Sequence, residues 1–107
     1  MEEMYKHLEA LLQREFDTNE TLKVLQTPIN IYWCWGVQRY GRIDHKGLII
    51  KVNGYLHNDY VLITLGWDDT YIVTLLDKML QVIGEPHKGI YVDILQYTVD
   101  RLVETNS

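Results

Sequence analysis

The residues able to do chemistry are few. Cys34 is the only cysteine, and the histidines are His7, His45, His57 and His87. No two histidines stand at metal-ligand spacing, and no second cysteine supplements them. A reactive thiol needs a cationic neighbour or a helix N-terminus to lower its pKa. Cys34 is flanked by Trp33 and Trp35 instead, which points to a structural cysteine. Asp44-His45-Lys46 resembles the acid-x-lysine end of a nuclease motif. It falls in a predicted loop with no partner acid on a strand, so it carries no assignment. Asp68-Asp69 could hold a cation, but paired aspartates between strands are first of all turn formers. The glycines are isolated, so no phosphate-cradling loop exists. Ser107 is the only serine, which removes Ser-His-Asp chemistry. The expectation is therefore no catalytic residue, no metal and no cofactor. Binding is what remains, and binding needs a shaped surface.

The elements that would shape it follow from periodicity. Met4, Tyr5, Leu8, Leu11, Leu12 and Phe16 recur at helical spacing, which predicts a helix from about Glu3 to Phe16. Asp17 with Glu20 has the form of a capping box for a short second helix, stopped by Pro28. From Ile29 the period becomes two. Ile29, Ile31, Trp33, Trp35 and Val37 alternate with Asn30, Tyr32, Cys34 and Gly36, which predicts a first strand with both tryptophans, and later Trp67, on its buried side. Gln38 to Lys46 reads as a long loop.

Two turns are possible for the next hairpin. Asn53-Gly54 is the stronger turn signal by residue type, but it would bury Asp59 and His57. A turn at Asn58-Asp59 keeps Leu48, Ile50 and Val52 on one face with Val61, Ile63 and Leu65, and the apolar face decides register. A three-residue loop at Trp67-Asp68-Asp69 and a two-residue turn at Asp77-Lys78 continue the meander. GEPHKG, residues 84–89, ends the sheet. Tyr91, Ile94, Leu95, Val99, Leu102 and Val103 then return to helical spacing, and Asp93 with Gln96 could cap that helix slightly later. The expected fold is α+β. It is one domain over residues 1–107, a five-stranded antiparallel meander with an N-terminal and a C-terminal helix packed on one face.

That arrangement leaves the opposite sheet face open. It would carry Tyr32, Ile49, Lys51, Tyr55, His57, Tyr60, Leu62 and Ile72, too apolar for a solvated face. Contiguous patches of this kind mark contact sites, and tyrosine is enriched in them. These residues are the predicted interface.

Composition narrows the partners. The net charge is −5, which opposes nucleic acid and anionic membrane at long range. No segment is long and apolar enough to span a bilayer, and a single cysteine fits a reducing, cytoplasmic setting. The expected function is a non-enzymatic protein-interaction or regulatory module that binds itself or another protein. Two alternatives stand behind it. One is a single-stranded nucleic-acid or nucleotide binder that stacks bases on the sheet tyrosines. The other is a small ligand-binding domain or enzyme with a pocket near His87 and Tyr91.

Overall fold

The five-stranded antiparallel meander is present, with helical segments before and after it, in the α+β class. A computed structural model describes residues 6–104, with side chains from Leu8 onward. The order is a 3₁₀ segment Lys6–Leu11, α1 (Thr18–Leu25), α2 (Ile29–Cys34), β1 (Arg39–Ile43), β2 (Gly47–Lys51), β3 (Tyr60–Leu65), β4 (Tyr71–Leu76) and β5 (Val82–Ile90). A 3₁₀ turn Val92–Ile94 then leads into α3 (Leu95–Val103). Among the described residues, no helix is long and apolar enough to cross a membrane.

The strands are not all the predicted ones. Residues 29–34 form a helix, and β1 lies inside the expected loop 38–46. In a helix, Tyr32 and Trp35 are three apart and share a side. Both are buried, with ring centroids 5.6 Å apart. Ile29 and Trp33 are four apart and share the exposed side. Pro28 opens this helix and Gly36, at φ 61°, follows its C-cap. Proline before and glycine after a helix is a known asymmetry, and here it outweighs a period-two pattern. Trp33 is 71 % exposed and Trp67 74 %, against the expectation of burial; only Trp35 is fully buried. Its indole Nε1 donates to Asp100 Oδ1 at 2.9 Å.

Hairpin geometry explains the remaining differences. The 66–70 connection is the expected three-residue loop, with Val61, Ile63 and Leu65 opposite Leu75, Val73 and Tyr71. The 77–81 connection has the same form, not a two-residue turn, so Leu76 pairs with Val82. Gly66 N–H bonds Thr70 O, and Asp77 N–H bonds Gln81 O. In each loop the third residue, Asp69 or Leu80, has a positive φ. β5 continues through GEPHKG with irregular register.

The β2–β3 hairpin turns at neither predicted site. Lys51 pairs with Tyr60, and residues 53–58 form a longer loop. The faces still sort as expected, because the register differs from the predicted one by an even step. A Cβ on Gly54 would sit 2.3 Å from Val103 Cγ1. Gly54 therefore serves the approach of α3's last turn, which Leu56 N–H reinforces by bonding Val103 O.

The sheet is covered on both faces, not one. Leu48, Ile50, Val52, Val61, Ile63 and Val73 pack under α1, α2 and α3. The other face packs Ile43, Ile49, Leu62, Leu76 and Leu80 against Leu8, with Leu11 and Leu12 beside them. The N-terminal segment is thus on the face predicted to be open. Its described part is 3₁₀, where residues three apart such as Leu8 and Leu11 eclipse. Beyond it the chain is held by turns. Gln13 Oε1 accepts from Trp67 N–H, Arg14 pairs with Asp69, and Phe16 N–H bonds His45 O.

Candidate interaction surface

The residues first considered for chemistry are dispersed. Cys34 is exposed at the end of α2. Asp44 and His45, at φ 50° and 58°, make the β1–β2 turn, a conformation in which aspartate and histidine are enriched. Asp68 Oδ1 accepts from Thr70 N–H and Thr70 Oγ1, at 3.1 and 2.7 Å. The hydroxyl bond and then the amide bond hold its carboxyl below the ordinary range. Asp68 is thus the turn former expected. Among the described residues, no group of three His, Cys, Asp or Glu side chains could hold a metal.

The predicted interface residues part company. Ile49, Leu62 and Ile72 are buried on the face that the N-terminal segment covers, so that face is not an open patch. Tyr32 lies on the other side of the molecule, against Trp35, and burial raises its hydroxyl pKa. His57 is buried, with Nε2 2.8 Å from Tyr60 O. A carbonyl only accepts, so this nitrogen carries a proton. Tyr55 is 77 % exposed in the 53–58 loop. Lys51 and Tyr60 are cross-strand partners and half-buried.

The Lys51–Tyr60 pair is the centre of a cluster. Arg39 Nη2 donates to Tyr60 Oη at 2.6 Å, and its guanidinium lies 5.9 Å from the ring centroid. Lys51 Nζ lies 5.1 Å from the same centroid. Two cations on one tyrosine are attracted by the ring and held in place by it. Arg39 pairs with Lys51 across β1–β2, which fixes the order of all three along the sheet. Among the described residues the ion pairs are Arg14–Asp69 and Lys23–Glu20. None of Arg39, Arg42 and Lys51 has such a carboxylate partner.

Arg39, Tyr40 and Arg42 were missed because they fell in an expected loop. A signal was present: charged residues are common on edge strands, and Asp44-His45 suits a turn with positive φ between residues 39–43 and 47–51. On the helical face, Tyr40 and Arg42 border a recess of about 270 Å³ whose other walls include Thr18, Asn19, Leu22 and Leu48. A larger groove of about 450 Å³ lies between α1 and α3, lined by Glu20, Lys23, Val24, Asp93, Gln96 and Tyr97. Gln96 Nε2 crosses its end to donate to Leu25 O and Pro28 O. His87 and Tyr91, expected near a pocket, are both exposed. Comparison with family models, curated proteins and solved structures finds no match to this chain.

Proposed function

We propose that this chain is a protein-interaction module whose working surface is the β1 side of the sheet. One observation carries the reading: Arg39 and Lys51 converge on Tyr60 without a carboxylate partner among the described residues, in a chain of net charge −5. Uncompensated cations on an acidic protein steer and select acidic partners. Exposed Tyr40 adds an aromatic contact on the opposite face of the same strand. Of the residues first assigned to the interface, Lys51, Tyr55, His57 and Tyr60 gather at this end of the sheet. Ile49 and Leu62 belong to the buried cluster against which Tyr60 packs. An acidic partner protein fits better than self-association, because two copies of this edge would gather four arginines and no acid. The single exposed thiol supports a reducing, cytoplasmic setting.

The same cluster favours one other reading, a single-stranded nucleic-acid binder, since cations around a tyrosine are what base stacking uses. The net charge weighs against it.

The test compares the parent with Arg39→Glu/Lys51→Glu by affinity capture from the native lysate and by sedimentation velocity. The expected result is a captured protein lost from the charge-reversed chain, which still unfolds in one cooperative thermal transition. Equal capture by both chains, with equal mass, would reject this surface.

A further inference from the structure

We propose that β1 takes an acidic, extended peptide as a sixth strand, an inference that rests on the β1 side being the working surface. The direction of the backbone groups follows from the ladder. Val52 N–H bonds Asp59 O, so the even-numbered residues of β2 face β3. Hydrogen-bonded pairs alternate in an antiparallel ladder, so odd-numbered residues of β2 face β1. Their partners are Arg39, Gly41 and Ile43. Tyr40 and Arg42 therefore turn their N–H and C=O groups away from the sheet. Among the described residues, no backbone hydrogen bond outside the β1–β2 ladder reaches residues 40–42.

The two edges of the sheet differ. β5 carries Gly84 and Gly89 at positive φ, Pro86, and two register shifts, the devices that prevent strand addition. β1 is five residues in unbroken register with β2, and a Cβ on Gly41 would meet open space. An incoming strand would bond Tyr40 and Arg42 through its backbone. Alternate side chains would enter the recess beside Thr18, Leu22 and Leu48. The remainder would lie along Arg39, with Lys51 behind it. Strand addition draws affinity from the main chain and specificity from alternate side chains. The unpaired cations choose an acidic sequence. They also disfavour a second copy of β1, which would add two more arginines and no acid to the same edge.

The experiment uses the full chain and an acetylated peptide of alternating glutamate and valine. Its lysine–valine counterpart and oligo-dT are the controls. Amide NMR and hydrogen exchange follow each titration. Saturable binding should slow exchange at Tyr40 and Arg42. Tyr40→Pro, which removes an outward N–H, should weaken binding about tenfold more than Tyr40→Thr, which loses the same ring but keeps the N–H. Arg39→Glu/Arg42→Glu should also lose about tenfold. Peptide binding that leaves exchange at Tyr40 and Arg42 unchanged in the parent would overturn strand addition while leaving the charged surface in place. Oligo-dT binding without peptide binding would overturn both. Failure of the peptide and of oligo-dT would overturn strand addition, and the capture experiment above then decides the surface separately. Exchange is read in the parent, so the conclusion stands even if Tyr40→Pro does not fold.

Discussion

The two faces of the sheet are both dry, yet they are closed in different ways. The helical face is sealed by three helices and one large side chain, Trp35, whose indole N–H has a partner in Asp100. The opposite face is sealed by a 3₁₀ segment that offers Leu8 and Leu11, with Leu12 just after it. Beneath that thinner cover, Thr64 and Thr74 are fully buried, and their hydroxyls have no hydrogen-bond partner among the described residues. A face built from helices can aim a polar group at each polar group it buries. A face closed by a short segment settles for apolar contact and leaves hydroxyls unpaired. The difference teaches that an apolar sheet face identifies a covered surface without saying what covers it.

The largest effects should come from the two centres. Trp35→Ala should cost about 3–5 kcal/mol, because it empties a large volume and leaves Asp100 unpaired. Leu62→Lys should be of similar size, because it places an unpaired charge in the second cluster. Chemical denaturation measures both. A Leu62→Lys chain that melts like the parent would show that the second face is wet. Next comes the cover: Leu8→Ala should lose about 2–4 kcal/mol if the 3₁₀ segment is a structural part of that face. A loss under about 0.5 kcal/mol would make it dispensable.

Smaller effects sharpen the contrast. Thr64→Val and Thr74→Val should each gain about 1 kcal/mol, since each replaces an unsatisfied hydroxyl by a methyl of the same shape. A loss in either variant would reveal a partner for the hydroxyl. Trp33→Ala should change stability by less than about 0.5 kcal/mol, in contrast to Trp35→Ala. The smallest effect concerns the turn joining β3 to β4. Asp68 has a lowered folded-state pKa, so its contribution is present above the ordinary carboxylate range. It fades as pH falls through the lowered value. Asp68→Ala should lower the melting temperature near neutral pH and flatten its dependence on acid. An unchanged acid dependence would assign that dependence to other carboxylates.

Much of this architecture was legible because apolar alternation is a face signal. Residues 60–76 fall into the expected pairing, since the three-residue loop at 67–69 makes the shared face more apolar than a two-residue turn at Asp68-Asp69, which would turn Ile72, Thr74 and Leu76 inward. The same logic placed Leu48, Ile50 and Val52 correctly even with the wrong turn. It failed where burial is one-sided or helical. Residues 29–34 show period-two apolarity, but their exposed Ile29 and Trp33 make that pattern uninformative, and the Pro28–Gly36 bracket was the better guide. At 77–81 the turn was read from Asp77-Lys78, and nothing local announces that Leu80 will adopt a left-handed conformation with its side chain in the second cluster. The candidate site was half legible for a related reason. Lys51 and Tyr60 lie on strands the pattern reveals. Arg39, Tyr40 and Arg42 lie on an edge strand too polar for that pattern to find.

The bonds from α3 have a consequence for how the chain is made. Every strand pairs with its neighbour in sequence, so the sheet can assemble locally as synthesis proceeds. Gln96 and Asp100 instead reach back 71 and 65 residues, to Leu25 and Trp35. Until α3 leaves the ribosome, a nascent sheet would show Ile50, Val61 and Val73 without their final cover. Growing chains with such surfaces are prone to associate. A ribosome stalled before Leu95 should therefore carry a chain that binds chaperones, and one stalled well beyond Val103 should release it.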